Sequence, residues 1–420
     1  MNKPWYEDNK LNFCIGFEDT FIPQSRPGMR ALDEYELTGH YQRWYKDLGL
    51  IAQVGANQVR WGIPWYLVNP KPHVFRFDWL DEVVDRFAEL GLDVIVDLMH
   101  YGTPLWLDNS FINNDYEAYV AEYAATVADR YRGRLSIYTP LNEPLLNALY
   151  CGQYAYWPPY LSGDDGLVKL LKKITRGMIA TQRSIKEVNP DATFVNVEAS
   201  FRFGGDRQAF SDEVSFMENR RFIVEDLITG KVDEQHPLYA WLLDNGFSNQ
   251  DIDWYQNNSI IPDVIGVNYY PKVSTVKYEA GQWHAGSPQD PMPFQNDGVN
   301  GMEEVLTLFA DRYKRPVYLT ETSWPGSVGE RIDWLEKSVQ SVVKLRAKGM
   351  SIIGYTWWAL FDMIYWRYRD EDKPAEEYLA QMGLWDLVPD GRLSFNRVKT
   401  SAADTYLELV ERYGSYTAKQ

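Results

Sequence analysis

The sequence predicts a (β/α)8 TIM barrel, one domain with long βα loops spanning residues 1–420. Three observations predict it. Short runs rich in β-branched and aromatic residues recur, each followed by a polar loop and a longer stretch of helical periodicity. Eight such runs occur, and strand-helix alternation of this kind implies parallel strands joined by right-handed crossovers. No composition break, Ser/Gly linker or internal repeat divides the chain. Length alone allows two or three average domains, but a barrel with long loops also exceeds about 400 residues, so the unbroken alternation decides.

In chain order the strand candidates are 11–17, 58–63, 93–100, 136–143, 193–200, 263–270, 317–323 and 352–360. Between them lie helical stretches such as 80–90, 116–132, 167–188 and 332–348, apolar at three- and four-residue spacing and charged on the other face. Two connections exceed an ordinary loop. Residues 201–258 include helices expected around 213–228 and 237–245, and 272–299 are rich in Gly, Pro and Gln. Both follow strand ends, so in a barrel they hang over the catalytic face.

Lys and Arg number 42 against 59 Asp and Glu, a net charge of −17. That balance disfavours nucleic acid and anionic membrane as partners and suits a neutral substrate. The 16 Trp and 29 Tyr either fill a large core or offer ring faces to sugars and other flat ligands. The N-terminus lacks the apolar region of a signal peptide, and no apolar run approaches the roughly 18 residues of a membrane span, which predicts a cytoplasmic protein. Cys14 and Cys151 read as reduced core thiols. A homo-oligomer is compatible with the chain.

In a barrel of this class the active site sits where the strands end. The ends are polar here: Glu18 and Asp19 close the first, Arg60 lies in the second and His100 closes the third. Asn142 and Glu143 end the fourth, Glu198 the fifth, Asn268 and Tyr270 the sixth and Glu321 the seventh, with Trp357 and Trp358 in the eighth. Taken singly, His100, Arg60 and Glu198 read as well as structural groups, and one of the adjacent Trp belongs to the core. Convergence raises the set above that reading, because eight strand ends aim at one cavity.

Two carboxylates at a barrel mouth with an aromatic rim suit hydrolysis of a glycosidic bond, one protonated to donate to the leaving oxygen and one ionised to attack. Arg60 and Tyr270 beside Glu321 are expected to depress its pKa, as a nucleophile needs. The charge of Glu321 is expected to raise that of Glu143, as an acid needs. HExxH, Cys/His clusters, a Walker A loop, GxGxxG after a strand and GxSxG are all absent, which removes support for a metal site, a P-loop, a dinucleotide fold and a serine hydrolase. No cofactor is expected.

Thr139–Pro144, Thr-Pro-Leu-Asn-Glu-Pro, and Leu319–Thr322, Leu-Thr-Glu-Thr, carry a family resemblance. With Val59–Trp65, Leu98–Leu107, Gly266–Tyr270 and Gly354–Trp366 they form six motifs in order, and the chain resembles a divergent, shorter branch of glycoside hydrolase family 1, the retaining β-glycosidases. The resemblance implies Glu143 as general acid/base and Glu321 as nucleophile, with Arg60 and Tyr270 supporting the nucleophile. It implies a substrate-binding set of Glu18, His100, Tyr101, Asn142, Glu198, Asn268, Trp358, Tyr365 and Trp366, in which Asn142 meets the sugar 2-hydroxyl and Trp358 forms the floor. The chain departs from the family in three places. Glu18 and Asp19 stand where the family presents glutamine, Tyr101 where it has Trp or Phe, and Tyr365 where a glutamate grips the 4- and 6-hydroxyls of glucose. The Ser and Lys of phosphoglycosidases are also missing from that loop. The expected substrate is thus a small-molecule or oligosaccharide β-glycoside whose sugar is not plain glucose. A transglycosidase and a non-catalytic carbohydrate-binding barrel are the rival readings.

Overall fold

The structure, a computed structural model, describes residues 4–278, 293–391 and 394–414. Eight parallel strands close into a barrel. They are β1 Asn12–Gly16, β2 Gln58–Gly62, β3 Asp93–Asp97, β4 Ile137–Thr139, β5 Thr193–Ala199, β6 Val264–Asn268, β7 Val317–Thr322 and β8 Ile352–Trp357. Every one lies inside a run picked out from sequence. Order around the barrel follows chain order, and β1 closes it by pairing Cys14 with Thr356 of β8 and Ile15 with Val59 of β2.

Helices α1 His40–Ile51, α2 Asp78–Leu90, α3 Tyr116–Arg130 and α4 Gly163–Val188 follow the first four strands. Four helices follow β5: α5 Ser211–Arg220, α6 Ile223–Ile228, α7 Tyr239–Asp244 and α8 Asn249–Asn258. Then come α9 Gly298–Tyr313, α10 Val328–Ala347 and α11 Ser401–Tyr413. Each buries the stripe its spacing dictates. In α2 that stripe is Leu80, Val83, Val84 and Phe87, each such side chain worth about 1.5–3 kcal/mol on full burial. At the start of α10, Ser327 and Glu330 form a reciprocal capping box that satisfies otherwise unpaired amides.

The lower barrel is packed rather than hollow. Cys14, Ile95, Ile137, Val195, Val264, Tyr318 and Ile353 fill it, and a side chain at Gly354 would lie 2.0 Å from the Tyr318 ring, so that strand needs glycine there. The charged strand-end residues are therefore gathered at the upper rim. Cys14 and Cys151 are both buried and unpaired, and burial pushes the Cys14 thiol up to about 12.

The fourth strand is shorter than the expected 136–143, because Pro140 and Pro144 have no amide to donate. Its continuation stays in the barrel wall through Asn142 N–H to Met99 O at 3.0 Å and Glu143 N–H to Val197 O at 3.1 Å. Helix α8 and the antiparallel hairpin Trp385–Pro389 with Phe395–Lys399 were not expected. The two long connections are tied together by a parallel pair, Arg202–Gly205 with Thr275–Tyr278. Part of the expected 272–299 loop, residues 279–292, lies outside the described residues. No helix among the described residues is long and apolar enough to cross a membrane.

Candidate active site

Glu321 is the penultimate residue of β7, where the strand slips register against both neighbours after Leu319. A bulge of this kind re-aims a side chain at the barrel rim. Its carboxylate accepts from Arg60 Nη1 at 2.6 Å and from the Tyr270 hydroxyl at 2.6 Å, so each oxygen has one strong donor. Glu143 reaches the rim differently. It adopts the left-handed conformation, φ +44°, immediately before Pro144 opens the short helix Pro144–Ala148. A non-glycine residue there costs on the order of 1–3 kcal/mol, held in this chain by the amide bond to Val197 O. Its two oxygens accept from the Tyr101 hydroxyl at 2.6 Å and Asn268 Nδ2 at 2.9 Å. Thr320 Oγ1 donates to Asn268 Oδ1 at 2.7 Å, which leaves the amide nitrogen turned to Glu143.

Beneath the carboxylates runs a charged network. Arg60, fully buried, donates from Nε to Asp97 Oδ1 at 3.0 Å and from Nη2 to Asn142 Oδ1 at 2.7 Å, besides its bond to Glu321. Asn142, thus oriented, presents Nδ2 to His100 Nε2 at 2.9 Å, so that nitrogen accepts. On its other side His100 Nδ1 lies 3.3 Å from Asp97 and 2.7 Å from Asp19. Burial pushes Asp19 up to about 7. Burial alone would depress His100, but Asp19 and Asp97 hold it well above the ordinary imidazole range. Asp19, Asp97 and His100 lie close enough to hold a cation. Arg60 already spans both oxygens of Asp97, at 3.0 and 2.8 Å, and a metal ion would have to displace it. A side chain at Gly62 would lie 1.6 Å from Asp19, so the bare backbone makes room for this acid.

Glu18, His100, Tyr101, Glu143, Asn268, Tyr270, Glu321, Tyr365 and Trp366 all line one cavity of about 760 Å³. Arg60 and Asn142 lie directly below it. Trp358, expected as the floor, is absent from the lining: it is buried, stacked on His100 at 5.5 Å, and donates Nε1 to Glu18 at 2.7 Å. Glu198 is absent from the lining too. It is buried with no side-chain hydrogen-bond partner among the described residues, and burial beside Glu225 and Glu143 pushes its carboxyl well up. Tyr365 is the most open of the set, 42% exposed. Asp97 was not singled out from sequence, although a charged residue in the apolar run Asp-Val-Ile-Val-Asp was the available signal.

The expected depression of Glu321 is overturned. Burial pushes its carboxyl up to about 8, against the pull of Arg60 and Tyr270, and the nearby Glu143 charge adds to the rise. Arg60 divides its charge between Asp97 and Glu321, and only one of them is held low: Asp97, where Arg60 and His100 outweigh burial.

A family profile, Glycosyl hydrolase family 1, matches residues 36–374. A 6-phospho-beta-glucosidase of Clostridium longisporum is 24% identical over 91% of this chain and 88% of its own length. A bifunctional beta-D-glucosidase/beta-D-fucosidase of Bifidobacterium breve is 25% identical over 78% and 80%. Among solved structures, the family 1 b-glucosidase from Thermotoga maritima superposes with a TM-score of 0.79 at 17% identity, covering 97% of this chain and 98% of that one. The match runs through the strand ends that carry Arg60, His100, Glu143, Asn268 and Glu321. The chain belongs to glycosyl hydrolase family 1 and is an O-glycoside hydrolase, a β-glycosidase.

Proposed function

We propose that this enzyme cleaves its β-glycoside with retention, by double displacement. Glu321 attacks the anomeric carbon while Glu143 protonates the leaving oxygen. Glu143 then takes a proton from water, which releases the sugar from Glu321. The observation that carries the reading is that each carboxylate has its own pair of fixed donors and both face one cavity, near enough for the charge of one to raise the other. The first and last described segments pack on the barrel, Trp5 Nε1 to Thr193 at 3.0 Å and the Tyr406 hydroxyl to Cys14 O at 2.9 Å, which supports reading the described residues as one domain. The sugar is not plain glucose. Tyr365 cannot replace a carboxylate acceptor, and each charge-assisted bond lost is worth about 1.5–3 kcal/mol.

A 2-deoxy-2-fluoro β-glycoside with a dinitrophenolate leaving group tests this, because the fluorine slows both steps and the leaving group restores only the first. The expected result is a stoichiometric burst and a mass increase on the peptide that holds Glu321. Proton NMR of an ordinary aryl substrate should show the β-hemiacetal first. An initial α product would defeat the reading.

Glu321 attacks only when ionised, and burial pushes its carboxyl up to about 8. As pH falls through that value the ionised fraction falls, so kcat/KM should decline on the acid side with an apparent pKa near 8 rather than the usual carboxylate value. A flat profile between pH 6 and 9 would contradict it.

A further inference from the structure

We propose that the leaving-group side of the cavity is built for an aglycone that joins an apolar or aromatic body to an oxyanion, which Arg220 binds with Arg221 beside it. This rests on the reading of Glu143 as the acid, since the aglycone lies on the side from which its oxygen is protonated. Glu143 opens the short helix whose Leu145 and Leu146, with Leu149 beyond, form one wall of the cavity. That wall leads to Tyr154 and to Arg220 at the end of α5.

Both arginines line the cavity, and each is only 4% exposed. Other buried arginines have their charge or their donors met. Arg60 and Arg331 pair with Asp97 and Asp386, and Arg369, although its Nε is also unpartnered among the described residues, donates to three backbone carbonyls and the Tyr160 hydroxyl. Arg220 has a 3.3 Å bond to Gln153 Oε1 and a second hydrogen bond to the Tyr154 side chain, both neutral partners, and Arg221 has a 2.7 Å bond to Phe201 O, with its Nε buried and unpartnered among the described residues. Among the described residues neither forms an ion pair. The nearest acids are engaged elsewhere: Asp164 by Gln153 and Trp241, Glu218 by Arg207, Glu304 by Arg202. Burial accordingly lowers both guanidinium groups, Arg221 to about 10.

An unpaired buried cation is costly, and an arriving oxyanion would offset that cost with bidentate, charge-assisted bonds. The net charge of −17 suggested a neutral substrate. At the Arg220 end of this pocket the local sign is reversed, and short-range pairing in a low-dielectric wall outweighs a screened long-range field.

The test is equilibrium binding to the full-length enzyme, followed by tryptophan fluorescence, of 4-hydroxybenzoate, 4-hydroxybenzenesulfonate and 4-hydroxybenzamide. The wild type should bind one or both anions at least tenfold more tightly than the amide, and the stronger anion identifies the oxyanion class. The preference should vanish in Arg220→Gln and be partly kept in Arg220→Lys. Equal or tighter binding of the amide, no binding of any probe, or a preference that survives Arg220→Gln would overturn the proposal. The wild-type ratio decides even if a variant does not fold. No bond is cleaved in this measurement, so failure of the catalytic reading would show separately, as an absent fluoro-sugar adduct.

Discussion

Glu321→Ala is expected to lose about 10⁵-fold in kcat on an aryl β-glycoside, about 7 kcal/mol of barrier, the scale set by removing a covalent nucleophile. The fold should survive. Glu321 is an end-of-strand residue beneath an open cavity, and the strand bonds of β7 are made by backbone groups. The loss leaves Arg60 with Asp97 as its carboxylate partner and the Tyr270 hydroxyl without an acceptor, so a modest fall in melting temperature is acceptable. The diagnostic is stereochemical. With the side chain truncated, added azide can occupy the vacated space and attack an activated substrate directly, with Glu143 still in place. The product should be the α-glycosyl azide, inverted at the anomeric carbon. Full turnover by the variant, or azide rescue that yields the β product, would remove Glu321 from the nucleophile role. The measurements are initial rates with and without azide and NMR of the azide adduct.

What was legible in the sequence follows from which interactions are local. All eight strands were readable because a strand buried on both sides must be a continuous β-branched or aromatic run, whatever its partners. Helix α8, Asn249–Asn258, was not, since its sequence is polar and its buried side chains are few. Yet Ser248 and Asp251 form a capping box, a start signal that was present. The site was legible as a list of strand-end residues, and Arg60, Tyr270 and Asn142 stand where the motifs imply. Two things were not. The direction of the Glu321 shift depends on how completely water is excluded, and residue identities name the partners without stating the desolvation. Arg220 and Arg221 look like ordinary polar helix residues until the crossing of α5 over the barrel mouth buries them. Trp358 shows the same limit from the other side: the motif placed it at the site, while its packing on His100 and its bond to Glu18 set it behind the surface.

Glu143→Ala separates the two steps that Glu143 serves, and its effect is expected to depend on the leaving group. A substrate with a poor leaving group, such as an alkyl or unsubstituted phenyl glycoside, needs the proton and should slow by about 10²–10⁴-fold in kcat/KM. A dinitrophenyl glycoside departs as a stable anion, so its kcat/KM should change little. Its kcat should nevertheless fall, because water attacking the glycosyl-enzyme has lost its base, and KM should fall with it as the intermediate accumulates. Azide needs no base. It should restore kcat on the activated substrate and give the β-glycosyl azide, the opposite anomer from that expected of Glu321→Ala. Tyr101 and Asn268, which hold the two oxygens of Glu143 at 2.6 and 2.9 Å, are left with free donors in this variant, and they offer the incoming azide a polar seat. The comparison of kcat/KM across a leaving-group series decides. Equal losses on good and poor leaving groups would mean that Glu143 supports the site without transferring the proton. An α azide would mean that the two carboxylates have exchanged the roles assigned to them.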